Sequence, residues 1–270
     1  MILGSSITTQ RDFMPIITLT SDWGLKDHYI GAVKGSILSR IPQAVIVDIT
    51  HSIPSFNSEQ AAFVLKNAWP HFPKGTIHVL AVNTEESDKH PHTAIEYEGH
   101  FFIGPDTGVF SLLFEKTPKK IVEVQVPQDT PFFTFSTRDR FVKVAAHLAE
   151  GGKLEDLGIM RSKILQKILL NPVVDHHIIK GHVMYIDSYE NVITNITEPV
   201  FNEIRNERKF FIQFRTYEIR KISRSYQDVP SGELLALFDS NRYLEIAINQ
   251  GNAAGLLGLD YKDMVRVEFV

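Results

Sequence analysis

Near residue 160 the hydrophobic pattern of this 270-residue chain changes period, and that change limits the architectures open to it. Before it, strand-like and helix-like segments alternate. Ile16–Thr20 is apolar and β-branched, and Asp27–Ile41 sets Tyr29, Ile30, Val33, Ile37 and Leu38 on one helical face. "AVIVDI" (Ala44–Ile49) is a near-continuous apolar run of the kind a buried parallel strand carries. Asn57 with Gln60 reads as a capping pair opening a helix with Ala61, Phe63, Val64, Leu65 and Ala68, closed by Pro70 and Pro73. Strands are expected at Gly75–Val82, Thr93–Tyr97, Phe101–Ile103 and Lys120–Val126. Thr137 is expected to cap a helix with Phe141, Val144, Ala145 and Leu148 inward, stopped at Gly151 and Gly152. Such alternation implies an α/β domain with a mostly parallel central sheet. Past residue 160 the runs "HVMYID", "NVITNI", "KFFIQF", "LLALF" and "YLEIAI" are short and β-type, with little helical periodicity, which implies an all-β domain, a barrel or a sandwich. The expected organisation is a mobile leader over 1–13, an α/β domain over 14–160, a linker over 161–177 and a β domain over 178–270.

Composition excludes several classes. Hydrophobic residues make up 43%, charged residues 22%, and the net charge is −4, so no global basic field draws nucleic acid or anionic lipid. There is no cysteine, hence no disulfide and no thiolate metal site. No apolar run is long enough to span a membrane, and "MILGSSITTQRDF" lacks the basic and apolar regions of a signal peptide. A cytoplasmic protein with no membrane or nucleic-acid partner is expected.

The stretch "TSDWG" places Asp22 and Trp23 just past the first strand, and open α/β sheets bind ligands outside the carboxyl ends of their strands. Alternatively Asp22 or Asp27 caps the following helix, with Trp23 packed underneath. His90-Pro91-His92 and His176-His177 lack the carboxylate or i,i+4 support of a metal site, so no metal is expected. "GPDTG" (Gly104–Gly108) is a turn and not a phosphate loop, and "RKISRS" (Arg220–Ser225) reads as a solvated strand edge.

Seven stretches, in order, resemble the S-adenosylmethionine hydroxide adenosyltransferases (the DUF62 family), relatives of the fluorinases and chlorinases: "TSDWGLKDHYIGAVKGSI", "IVDITHSIPSFNSEQAAFVL", "FPKGTIHVLAV", "FIGPDTGVFS", "RDRFVKVAAHLAEG", "YIDSYENVITNI" and "YLEIAINQGNAAGLLGL". The resemblance implies a nucleoside-binding α/β domain, a C-terminal β-barrel, and a homotrimer whose ligand lies between one subunit's N-terminal domain and its neighbour's C-terminal domain. It implies attack of water or hydroxide at C5′ of S-adenosylmethionine, releasing adenosine and methionine with no metal or organic cofactor. A sulfonium is already a good leaving group, so the protein's task is to hold the nucleophile in line and partly desolvated.

Residue by residue, the resemblance makes Asp22 an acceptor for the ribose hydroxyls, with Trp23 beside it. Asp187 and Asn191 in "DSYEN" would meet the methionine ammonium and the adenine or ribose, although Glu190 stands where the family has Gly. Tyr226 would lie against adenine, Ser240 would hold the methionine carboxylate (with Asn241 where relatives have Arg), and Asn249 would assist adenine. The hydrolytic Asp, Arg and His are all changed, becoming Asn83, His90 and Ser136. Thr137 matches a position where halogenating relatives place a serine that donates to the nucleophile, and His90 with Lys89 could supply positive charge, unless "TEESDKHPH" is only a polar surface loop. The expected activity is S-adenosylmethionine hydrolysis. The alternative is a non-catalytic binding protein of the same family, and Asn83, where halogenases use Tyr, argues against a halogenase-like enzyme.

Overall fold

The structure is a computed structural model that describes residues 14–168 and 171–270; the expected leader over 1–13 lies outside the described residues. The chain divides between residues 167 and 168 into two compact units.

The first unit is an α/β layer. Strands β1 (Ile16–Ser21), β2 (Val45–Thr50), β3 (Ile77–Ala81), β4 (His92–Tyr97), β5 (His100–Pro105), β6 (Lys120–Val124) and β7 (Gly158–Arg161) form one sheet in the order β2-β1-β3-β5-β4-β6-β7. The pairings β1–β2, β1–β3 and β3–β5 are parallel, while β5–β4, β4–β6 and β6–β7 are antiparallel. The parallel half is the one inferred from the strand–helix alternation. The antiparallel half arises where β4 and β5 are joined by only Glu98 and Gly99, too short for the crossover a parallel pair needs. Period-two alternation on β1 sends Ile17 and Leu19 to a core shared with Val33 and Ile37 of α1 (Tyr29–Arg40) and Val144 and Ala145 of α4 (Val142–Ala149). On the other face Leu80 and Phe102 pack with Leu65 of α2 (Ser58–Ala68) and Phe110 of α3 (Val109–Leu113).

Three local expectations are corrected. The "AVIVDI" run forms β2, but β2 is the sheet's edge strand and is only part-buried, because parallel pairing covers one side of it alone. Helix α1 begins at Tyr29, with no side-chain cap and with Tyr29 and Leu38 exposed, so neither Asp22 nor Asp27 caps it. Asn57 does cap α2, accepting from Gln60 N–H at 3.0 Å. Thr137 caps nothing: it opens a π-turn, Thr137–Phe141, that precedes α4.

The second unit is all-antiparallel. Strands β9 (Ile178–Ile186), β10 (Val192–Thr197), β11 (Phe210–Phe214), β12 (Tyr217–Ile219), β13 (Leu234–Phe238), β14 (Tyr243–Ile248) and β15 (Met264–Phe269) run in the order β12-β11-β15-β9-β10-β14-β13, and β8 (Val173–Asp175) pairs with β9. β8 thus lies inside the segment expected as a linker, as does Ile164, which is buried in the first unit's core. The sheet ends meet where Ile222 bridges Ala236 and Ser223 N–H donates to the Ala236 carbonyl at 2.7 Å, nearly closing a barrel. Within "RKISRS", Ile222 and Ser223 make the barrel's seam, while Arg220, Lys221 and Arg224 are exposed as expected of a solvated edge. Val183, Val192, Leu244, Ile246, Val265 and Val267 fill the interior. Two short helices escaped the sequence pattern, α5 (Glu198–Arg205) and α6 (Ala253–Leu257).

Candidate active site

In the first unit the candidate residues gather at the carboxyl ends of β1 and β3. Ser21 pairs with Ala81 in register, so Asp22 and Asn83 leave the sheet at the same edge. Asp22 Oδ2 accepts from Phe56 N–H at 2.9 Å, a partner in the loop after β2 and not in α1. Three more bonds tie the two loops: Gly24 N–H to the His51 carbonyl at 2.7 Å, Ile53 N–H to the Ser21 carbonyl at 3.3 Å, and Ser21 Oγ with His51 Nδ1 at 2.7 Å. Gly24 has φ +66°, a conformation a side chain would strain. The carboxylate is thus carried on a braced turn with its second oxygen uncommitted to Phe56.

Trp23 stacks on buried His51, with centroids 6.1 Å apart, and meets Phe135 edge-on at 5.9 Å. His51 Nε2 lies 3.1 Å from Asp48 Oδ1, out of line for a hydrogen bond. Burial works against Asp48 ionising, but its bond to Lys34 and the neighbouring His51 outweigh this and hold its carboxyl below the usual range.

The Trp23–Phe135 contact brings the Asp22 turn alongside Ser136 and Thr137. Ser136 is buried and accepts from Gln128 Nε2 at 3.1 Å. Thr137 is fully buried and its hydroxyl has no protein partner, an unusual state for an interior polar group. Asn83 has φ +52°, a left-handed conformation that Asn tolerates better than most residues. His90 closes a turn with Ser87, its N–H donating to the Ser87 carbonyl at 2.9 Å. Burial raises the carboxyl of Asp106 despite backbone donors from Leu165 and Gly108.

Sequence reasoning weighed His92 only as a metal ligand, and the fold gives it another place. His92 is fully buried, with Nε2 2.9 Å from the Thr84 carbonyl and Nδ1 2.9 Å from Arg140 Nη1. Burial depresses its pKa; the Thr84 carbonyl and Glu86 oppose this, and Arg140 adds to it. Arg138 and Asp139 form a local ion pair, and Arg138 holds Asp139 below the usual carboxylate range against the effect of burial. Among the described residues no three His, Cys, Asp or Glu side chains gather in a metal-holding group.

In the second unit Asn191, Tyr226 and Asn249 line one cavity of about 670 Å³, together with Tyr189, Ile248, Gln250, Gly251 and Asn252. Asp187 stands behind it as the staple of a turn. Its Oδ1 accepts from Tyr189 N–H at 2.9 Å and Asn191 N–H at 2.8 Å, and its Oδ2 from Asn191 Nδ2 at 3.2 Å. Glu190 takes φ +63° there, the conformation for which the family's glycine is suited. Asn249 Nδ2 donates to the Val229 carbonyl at 2.8 Å, which holds the side chain in place. Ser240 is exposed on the turn between β13 and β14 and does not line the cavity.

Tyr226 O–H donates to Glu245 Oε1 at 2.7 Å. Glu245 is only 3% exposed, and burial, with Asp187 and Asp239 nearby and Tyr226 working the other way, pushes its carboxyl up to about 7. Its place in "YLEIAI", a charge inside an apolar strand, was the available signal. The cavity offers two rings, several amides and few charges, which suits a flat heteroaromatic group with polar edges. Among the described residues no helix is long and apolar enough to cross a membrane.

Comparison with known proteins agrees with this geometry. Residues 17–158 match the SAM hydroxide adenosyltransferase N-terminal domain, and residues 181–266 match the corresponding C-terminal domain. The chain is 29% identical to the (R)-S-adenosyl-L-methionine hydrolase of Methanocaldococcus jannaschii, over 97% of this chain and 98% of that one. It is 28% identical to a fluorinase of Nocardia brasiliensis, over 70% of this chain and 74% of the other. Its fold matches a crystal structure of an uncharacterized conserved protein from Thermotoga maritima with a TM-score of 0.85 and 32% identity, covering 93% of this chain and 99% of that one.

Proposed function

Since the chain belongs to the SAM hydroxide adenosyltransferase family, we propose that it hydrolyses S-adenosylmethionine at C5′. Water forms the C5′–O bond as the C5′–S bond breaks; the bonding pair leaves with sulfur as methionine, and the water's proton passes to solvent. The observation that carries this reading is the barrel cavity, where Asn191, Tyr226 and Asn249 come together around a space suited to adenine. Asp22 receives the ribose hydroxyls on its braced turn, and Asp187 draws the methionine ammonium. Thr137 and the Asn83 amide hold the water, because Thr137 has an unspent hydroxyl and Asn83 leaves the sheet beside Asp22. His90 and Ser136 contribute less: the first closes a turn with Ser87 and the second is bonded to Gln128. The working form is a cytoplasmic homotrimer, with each ligand shared between neighbouring copies and no cofactor or metal.

One observation favours the second reading, a protein that binds the nucleoside without turning it over. The hydrolytic Asp, Arg and His expected from the resemblance are Asn83, His90 and Ser136 here, so all three positions are changed. Incubation with S-adenosylmethionine in ¹⁸O-water at several pH values, followed by chromatography and mass spectrometry, decides between them. Adenosine carrying the label at the 5′-oxygen supports hydrolysis, and intact S-adenosylmethionine at every pH supports the binding protein.

A further inference from the structure

Arg140 is 8% exposed and lies on the π-turn three residues after Thr137. A buried guanidinium is strongly disfavoured without an anionic partner and geometric acceptors. Arg140 has both: its Nη1 is 2.5 Å from Glu86 Oε2 and 2.9 Å from His92 Nδ1. Guanidinium only donates, so His92 Nδ1 must accept, and the ring's one proton sits on Nε2, aimed at the Thr84 carbonyl 2.9 Å away. Thr84 directly follows Asn83. A continuous set of contacts therefore runs from the turn of Thr137 through Arg140 and His92 to the residue beside Asn83, and Glu86 ties the same loop a second time.

The other features near the turn do not make this link. Arg138 is spent on Asp139, and Asp139 also accepts from Thr130 Oγ1 at 2.8 Å. Ser136 is engaged with Gln128. Asn83 sits in a left-handed conformation at the start of a loop whose next residues, Glu85 to Lys89, are exposed, so little else holds that loop.

We propose that Arg140 is a positioning residue that clamps the Asn83 loop to the Thr137 turn and so fixes the two groups that hold the nucleophilic water. The consequence for rate, but not the clamp itself, rests on the hydrolytic reading given above. A water displaced by about 1 Å from the line of attack loses on the order of a hundredfold in rate with little change in substrate binding.

Arg140→Met, Arg140→Lys and Glu86→Gln are compared with the wild type by steady-state kinetics and by hydrogen–deuterium exchange over peptides spanning 83–91 and 136–141. Arg140→Met is expected to lower kcat by about tenfold to a hundredfold with KM changed less than about twofold. Exchange should quicken in both peptides, and Arg140→Lys should restore part of each. Glu86→Gln alters a side chain at the surface, so it stays folded if Arg140→Met does not, and it should move both readouts in the same direction by less. Unchanged exchange in both peptides in Glu86→Gln and in a folded Arg140→Met would overturn the clamp. A lowered melting temperature with kcat intact would overturn it too, by making Arg140 merely structural. If the wild type is inert toward S-adenosylmethionine, quickened exchange still supports the clamp, and only the hydrolytic reading falls.

Discussion

In the barrel unit Asp187 spends its oxygens on Tyr189 and Asn191, and Asn249 is pinned to Val229; in the α/β unit Thr137 keeps a buried hydroxyl with no protein partner. The first arrangement is a finished surface. Its side chains are held before any ligand arrives, so little ordering is left for binding to impose. The second retains an unsatisfied polar group, which costs on the order of 1–3 kcal/mol in an interior. Such a cost is tolerable where a water or a reacting atom completes the group. The candidate binding side chains Asp187 and Asn249 are thus already engaged, whereas the candidate catalytic Thr137 keeps an open donor.

The sharpest way to break this contrast is to remove that donor. Thr137→Ala should lower kcat for S-adenosylmethionine hydrolysis by about tenfold to a thousandfold, the range for losing one preorganised donor, while affinity for adenosine by calorimetry stays within about twofold. Turnover indifferent to the substitution would remove Thr137 from the chemistry.

A smaller effect tests whether the α/β unit also binds. Asp22→Asn keeps an acceptor for Phe56 N–H, so the turn should survive, but it loses the charge offered to a ribose. Affinity for adenosine should fall by about 1.5–3 kcal/mol. Unchanged affinity would leave binding to the barrel alone.

The smallest effect lies in the barrel and is read through pH. Glu245 has a carboxyl raised to about 7 in the folded protein, whereas in the unfolded chain it titrates near the ordinary value of about 4.3. Between those values the native state binds more protons than the unfolded one, so this group makes stability fall as pH rises through the window. Glu245→Gln, which keeps an acceptor for Tyr226, removes that slope. Its melting temperature relative to the wild type should therefore climb from pH 5 to pH 7. A constant difference would mean that Glu245 is not held protonated by its burial.

Much of this was legible in the sequence, and for physical reasons. Periodicity revealed both layers, because a residue's face in a helix or strand repeats locally. Asp22, Asn191, Tyr226 and Asn249 were identified by resemblance, and the last three prove to share a cavity. What was hidden depended on side chains distant in sequence. Nothing in "HPH" says that His92 is buried and His90 is not, since that follows from which residue begins β4. Arg140 looked like one charge in "RDRF", and only the fold brings it to Glu86, 54 positions earlier. Asn57 as a cap was readable because its partner lies three residues away; Thr137 as a cap was not, because the π-turn inserts before α4.

The strand order of the barrel carries a consequence for how the chain is made. β15, residues Met264–Phe269, is the last strand in sequence yet sits between β11 and β9, joining the β11–β12 hairpin to the rest of the ladder. Until β15 is available, β11 and β12 are a hairpin with an unpaired edge, and the meander β9-β10-β14-β13 lacks its neighbour. The α/β sheet has all its strands by Arg161. During synthesis the first unit can therefore finish folding while the ribosome is still making the second, in which the pairings of β15 with β9 and β11 can form only at the end.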